Sequence, residues 1–190
     1  GVDRLGPAPL RSLQARRLAT VPALRLVEGD LLDPATLRAV EAAGAPDRVV
    51  HLAGRGGVRD PRATPSAFER DNVAALAAVL ARTGAPLVWA SSSSVYGHAE
   101  GPCAESAALA PLGAYAKSKV QAEDLVTTDG RPAIGLRLFT VYGPWGRPDM
   151  AMWRFAQALA SDEPVELRGE AAARDWTYVD DVVEAIARAT

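Results

Sequence analysis

Tyr115 and Lys119, in the run Tyr115-Ala116-Lys117-Ser118-Lys119, are spaced to do acid–base chemistry together. Four residues apart, they share one face of a helix. An ammonium beside a phenol favours the phenolate and lowers the tyrosine pKa toward working pH, which is what a general base needs. Alone, the pattern is one that any helix can carry. Twenty-three residues before Tyr115 stands Ser92, in the run Ala90-Ser91-Ser92-Ser93-Ser94-Val95-Tyr96-Gly97 at the end of an apolar segment. Four hydroxyls where a buried strand meets a crevice are costly to bury, and a polar ligand explains them better. Lys117 and Lys119 are the only lysines among 21 Lys plus Arg, and Asn72 is the only asparagine. Residues that persist in so Arg- and Ala-rich a chain point to tasks that Arg or Asp cannot perform.

These residues must be positioned by an alternation of strands and helices. Apolar runs at Leu24–Val27, Val49–Leu52, Leu87–Ala90 and Ala133–Leu138 read as strands. Between them lie predicted helices: Pro34–Ala43, with Asp33 as N-cap and Pro34 at the first position, then Ser66–Ala81 and Tyr115–Val126. The alternation predicts an α/β fold with a doubly wound parallel sheet, covered on both faces, and functional groups at the carboxyl ends of the strands. The stretch Glu123–Gly135 is several residues short for a helix, loop and return strand. After Phe139 the texture changes. Tyr142–Asp149 is dense in turn formers. A helix at Met150–Ala160, strand-like Val165–Leu167 and Asp175–Tyr178, and a last helix from Val179 follow. These are too few to close a second core, so 1–144 reads as one domain and 145–190 as the start of a smaller substrate lobe, with elements returning to the first.

Composition bounds the rest. At 190 residues, 48% hydrophobic and a net charge of −2, the chain gives no electrostatic reason to expect nucleic acid or an acidic membrane as partner. No apolar run reaches about 18 residues and no signal-peptide pattern opens the chain. Cys103 is alone, which excludes an internal disulfide and fits a reducing cytoplasm. No Cys/His cluster has metal-ligand spacing, so no metal is expected. His51, Trp145 and Trp153 read as packing residues.

Trp89–Gly97 (WASSSSVYG), Leu136–Ala151 (LRLFTVYGPWGRPDMA) and Ala173–Asp181 (ARDWTYVDD) resemble the extended short-chain dehydrogenase/reductase family, and within it the UDP-glucuronate 4-epimerases. The resemblance runs from Gly1 to Thr190. It implies a Rossmann-like domain, NAD as cofactor, a UDP-sugar substrate and a cytoplasmic homodimer. It makes Tyr115 the base, Lys119 the residue that anchors the nicotinamide ribose, and Ser92 the partner of the reacting hydroxyl, with Ser91 as substitute. It carries cofactor contacts onto Asp3 (adenosine ribose), Asp30 and Leu31 (adenine), Leu52, Ala53 and Gly54 (a strand end along the cofactor), Asn72 (nicotinamide side) and Phe139. The family's opening strand, glycine-rich loop and helix have no match here: Gly54-Arg55-Gly56-Gly57 follows the wrong strand. The stretch as written is therefore expected to hold NAD poorly.

The same resemblance places UDP on Arg174, with the backbone around Glu166 and Arg168 against uracil. A glucuronate oxidised at C4 carries a carboxylate β to the new ketone and loses CO₂ when the breaking bond aligns with the carbonyl. An epimerase must hold that carboxylate, and Ser93, Ser94, Thr140 and Arg147 are the expected clamp. Related 4,6-dehydratases place an Asp-Glu pair after the catalytic Thr, and related uronate decarboxylases keep a Glu there; here those positions are Ser93 and Ser94. The expectation is C4 epimerisation of UDP-glucuronic acid to UDP-galacturonic acid. A UDP-glucose/UDP-galactose-type epimerase and a catalytically silent nucleotide-binding fold stay open as alternatives.

Overall fold

The structure, a computed structural model, describes residues 16–18, 20–56, 63–98, 101–165 and 174–190. Asp3, Glu166, Arg168 and most of the expected strand Val165–Leu167 lie outside the described residues. The chain divides into two compact units, one holding Val27–Leu138 and Ile186–Thr190, the other holding Phe139–Ala185 together with residues 16–26.

In the first unit, helix α1 spans Pro34–Glu41, its N-terminus capped by Asp33, whose carboxylate accepts from Ala35 N, with proline in the first turn. Strand β1 is Val49–His51. Helix α2 is a run in three pieces: Pro65–Phe68, a π-helical Glu69–Ala74, and Ala75–Leu80. Strand β2 is Leu87–Ser92, and a 3₁₀ turn, Ser93–Tyr96, follows it directly. Helix α3 spans Gly113–Asp129 and strand β3 Ala133–Leu138. The strands form a parallel sheet in the order β1-β2-β3, with Val49 beside Leu87 and Leu87 beside Ala133. The segment from Glu123 to Gly135 is not short after all. Helix α3 runs on to Asp129 and ends at the left-handed Gly130, so three residues suffice to reach β3. Arg131, 8% exposed at its side chain, secures that link by donating to the carbonyls of Leu80 and Thr83.

A strand order that advances in one direction puts successive right-handed crossover helices on the same face of the sheet. Leu76 and Leu80 of α2 and Ala122 and Val126 of α3 accordingly close over Leu87 and Trp89 of β2. On the opposite face Val88 of the central strand is 4% exposed, while its neighbours Val50 and Ile134 on the outer strands are 43% and 48% exposed. A parallel sheet packed by its crossover helices is the α/β fold that sequence patterning anticipates. Leu24–Val27 departs from expectation, since it carries no strand pairing. Its apolar pattern suits a strand, but among the described residues no segment pairs with it.

In the second unit, β4 (Thr140–Tyr142) pairs in parallel with β5 (Trp176–Tyr178), a ladder that sequence patterning does not anticipate. Tyr142 packs edge-on against Trp176 at 6.1 Å and tilted against Tyr178 at 5.5 Å. Helix α4 spans Ala151–Ala160, and α5, Val179–Ala189, runs from the second unit into the first. Among the described residues, no helix is long and apolar enough to cross a membrane.

Candidate active site

The carboxyl end of β2 and the first turns of α3 bring the sequence-predicted chemical residues together within the first unit. Lys119 is 9% exposed, and its Nζ donates to the Ala90 carbonyl at 2.9 Å while lying 6.0 Å from the centre of the Tyr115 ring. Burial lowers its pKa to about 8. Lys117, two residues earlier, is exposed. Phe68 meets the Tyr115 ring in a T-shaped contact at 5.8 Å and fixes the plane of the phenol from α2.

The serines are not equivalent. Side chains on a strand alternate between faces, so Ser91 and Ser92 point opposite ways. The Ser91 hydroxyl donates to Glu123 Oε1 at 2.5 Å and is thereby committed away from Ser92's side of the strand. Ser92 caps the 3₁₀ turn: its Oγ accepts from Ser94 N at 3.2 Å and from Ser94 Oγ at 2.9 Å. A hydroxyl has two lone pairs and one proton. With both lone pairs of Ser92 engaged, what it offers a ligand is its proton. The geometry makes Ser92 a donor to an oxygen and suits it to a carbonyl or a developing alkoxide. Gly97 ends the turn at φ +70, where a Cβ would stand 2.0 Å from the Ala110 carbonyl oxygen, so only glycine fits.

Asn72, buried on the π-helical piece of α2, spends its whole amide on the protein. Its Oδ1 accepts from Arg55 N at 2.6 Å, and its Nδ2 donates to the Arg55 carbonyl at 3.2 Å and to Ser118 Oγ at 2.9 Å. Ser118 in turn donates to the Tyr115 carbonyl at 2.8 Å. Asn72 therefore joins the Gly54-Arg55 segment to the helix that carries Tyr115 and Lys119. A Cβ on Gly54 would lie 2.8 Å from Asn72 Oδ1 and 3.7 Å from Lys119 Nζ, so this close approach also requires glycine. Ala53 is half-buried and Leu52 is 55% exposed. Near the start of α1, Asp30 accepts from Leu32 N at 3.0 Å and pairs with Arg70, which also holds Asp71; Asp71 pairs with Arg55 at 2.7 Å. Leu31 is half-buried beside it. His51 is buried and its pKa falls to about 4, through burial first and the Lys119 charge second, so it stays neutral near pH 7.

The second unit carries the other expected residues. Phe139 is 39% exposed, and Thr140 N donates to the Asp175 carbonyl at 3.1 Å. Trp145 takes a left-handed φ of 69°, unusual for a bulky residue, with Arg17 stacked over its ring at 5.2 Å. Two residues on, Arg147 Nη2 donates to Asp149 at 3.2 Å. Its Nε lies 3.1 Å from the same carboxylate, yet is buried with no aligned hydrogen bond. Arg174 is exposed. Among the described residues, no group of His, Cys, Asp or Glu could hold a metal ion.

Sequence reasoning missed Glu123, Arg137, Ser118 and the Asp30–Arg70–Asp71–Arg55 chain of charges. Glu123 was within reach, since it continues the Tyr115, Lys119 stripe by four more residues. Ser118 and Arg55 had no signal, because their partners come from segments far away in the chain.

A parallel sheet with its crossover helices, Ser92 at the carboxyl end of β2 and Tyr115 and the buried Lys119 on the helix that follows, is a Rossmann-like α/β arrangement. A family model described as "NAD dependent epimerase/dehydratase family" matches residues 1–190, and the chain belongs to that family. It is 39% identical over 184 residues to UDP-glucuronate 4-epimerase 1 of Arabidopsis thaliana, covering 89% of this chain and 43% of that one. It is 36% identical over 202 residues to a protein of Rhizobium meliloti (strain 1021) named "Probable UDP-glucuronate 4-epimerase", covering 99% of this chain and 59% of that one. Among solved structures, the UDP-glucuronic acid 4-epimerase of Bacillus cereus in complex with UDP-glucuronic acid and NAD superposes with a TM-score of 0.88 at 29% identity, covering 97% of this chain and 61% of that one. The chain thus spans about half the length of the curated relatives it matches.

In a ¹³C-lysine spectrum the Lys119 signal is assigned by the substitution that removes it. In the protein free of ligand, the Lys119 signal is expected to titrate near pH 8 and to vanish in Lys119→Met. A Lys119 signal titrating at the ordinary 10.5 would contradict its burial beside Tyr115.

Proposed function

We propose that the whole protein inverts C4 of UDP-glucuronic acid, giving UDP-galacturonic acid through a 4-keto sugar, with NAD as its cofactor. The observation that carries this is the trio Ser92, Tyr115 and Lys119, in which a buried cation stands beside the phenol and the serine is wired as a donor. A silent nucleotide-binding fold has no use for such a trio. The substrate class is supported by the UDP-glucuronate 4-epimerases among the relatives and by Ser93 and Ser94, which leave the turn without the carboxylates that water loss or decarboxylation would employ.

The residues present suit NAD. Gly54 leaves room for a close backbone approach, Lys119 can reach a ribose hydroxyl, and Asn72 holds the Gly54-Arg55 backbone in place. Asp30, Leu31, Leu52, Ala53 and Phe139 complete the proposed contacts, with Asp3 in the segment outside the described residues. Bound NAD would supply the oxidant for C4 and return the hydride to the opposite face. The chain's own residues do the rest. Tyr115 takes the proton of the C4 hydroxyl and later gives it back. Lys119 holds a positive charge 6.0 Å from the centre of the Tyr115 ring. Ser92 donates to O4, and that bond strengthens as O4 becomes a ketone oxygen.

Arg147 is the proposed cation for the sugar carboxylate, with Ser93 and Thr140 as neutral donors; its unaligned Nε is a donor still to be satisfied. Ser94 can join only by giving up its bond to Ser92. Arg174, with Glu166 and Arg168, is proposed for the UDP portion. The proposal includes a cytoplasmic homodimer, which native mass spectrometry of the purified protein tests.

Replacing Tyr115 with phenylalanine is expected to cost about 10²–10⁴-fold in kcat with little change in nucleotide affinity. Turnover near that of the wild type would remove Tyr115 from the chemistry. Arg147→Ala distinguishes a uronate from a neutral hexose. A charge-assisted contact to a carboxylate contributes roughly 1.5–3 kcal/mol, so kcat/KM for UDP-glucuronate should fall about tenfold to hundredfold, and that for UDP-glucose much less. With the clamp loosened, some turnovers should end in CO₂ and a 4-keto pentose, visible by mass spectrometry. Equal losses on both substrates with no decarboxylated product would favour the neutral-hexose reading.

A further inference from the structure

Tyr115, Lys119 and Glu123 recur every four residues along α3 and so share one helix face. Glu123 acts on no part of the proposed substrate; it faces the strand that carries Ser92. Its carboxylate accepts the Ser91 hydroxyl at 2.5 Å and a two-pronged contact from Arg137, with Nε at 2.9 Å from Oε1 and Nη2 at 2.7 Å from Oε2. Arg137 sits on β3 in register with Ser91, and its remaining arm, Nη1, donates at 2.9 Å to both the Tyr96 hydroxyl and the Glu105 carbonyl. One ion pair therefore grips the chain just before Ser92, at Ser91, and again at Tyr96, where the 3₁₀ turn ends. Everything between those grips is Ser92, Ser93, Ser94 and Val95.

We propose that the Glu123–Arg137 pair is a positioning element that fixes the Ser92–Ser94 segment so that the Ser92 hydroxyl meets O4 of the substrate beside Tyr115. The inference rests on the reading of Ser92 and Tyr115 given above. A largely buried ion pair is a poor source of net stability, because desolvation offsets most of the attraction; what a two-pronged pair supplies is orientation. Its side chains are only 16% and 25% exposed. Burial pushes the Glu123 carboxyl up, but the Arg137 and Ser91 hydrogen bonds pull it further down, and its pKa ends below the usual carboxylate range, so the pair persists well below neutral pH. Displacing a reacting group by about an ångström costs on the order of a hundredfold in rate.

The test uses the whole protein purified with its cofactor, comparing wild type with Glu123→Gln, Arg137→Lys, the double variant and Ser91→Ala on UDP-glucuronate. Arg137→Lys keeps the charge but loses the fork, and Glu123→Gln keeps the shape but loses the charge. Each is expected to lower kcat about 10–100-fold with KM within about threefold, and the double variant to lose no more than the worse single one, because the two act as a unit. Ser91→Ala, which leaves the pair intact and cuts only its link to the strand, is expected to lower kcat about threefold to tenfold without a shift in melting temperature. Folded variants with wild-type kcat, or losses confined to KM, would overturn the positioning role. If either charge variant fails to fold, Ser91→Ala decides alone, and unchanged kcat there overturns it. A wild type that makes no C4-inverted product overturns the functional reading instead, which separates the two failures.

Discussion

Lys119 is an ammonium in a place where an ammonium is costly to keep. Its burial takes it out of water, and a single carbonyl, that of Ala90 at the end of β2, replaces part of the hydration it loses. That contact ties helix α3 to the strand end where Ser92 stands. It also sets a positive charge against the Tyr115 ring, close to Gly54, where a Cβ would stand 2.8 Å from Asn72 Oδ1. Asn72 braces the same group from α2, through Arg55 on one side and Ser118 on the other. A hydrophobic residue at position 119 would pack more cheaply, so the retained charge is best understood through what it does to the phenol.

Around this centre, side chains with protein partners on all their polar atoms surround a few with valences to spare. Asn72 and Arg137 are fully engaged. Ser92 retains its proton for a ligand. Groups with capacity left over are the ones proposed to touch substrate. The saturated ones hold them still, which is the division of labour a pre-organised site requires.

Much of this was legible in the sequence, for reasons that differ by element. Pro34 after Asp33 marks a helix start because proline, lacking an N–H, fits the first turn and not the helix interior, and aspartate can cap the orphan amides; α1 begins there. Leu87–Ala90, apolar throughout, and Ala133–Leu138, apolar but for Arg137, became adjoining parallel strands, although β2 continues through Ser91 and Ser92, where polarity suggested a stop. Tyr115 and Lys119 were found because a helix turns a spacing of four into contact. The β4–β5 pairing, the π-helical piece of α2 and the Glu123–Arg137 pair were not found. Each depends on which distant segment arrives alongside, and no local periodicity encodes that.

The central claim is that C4 loses a hydride and regains the same one on its other face, with Tyr115 handling only the hydroxyl proton. Substrate carrying deuterium at C4 tests this directly. The whole protein, incubated with UDP-[4-²H]glucuronate in ordinary water, is expected to yield UDP-galacturonate that keeps the deuterium at C4, read by NMR and mass spectrometry. Loss of the label to solvent, or the absence of any C4-inverted product, would contradict the account.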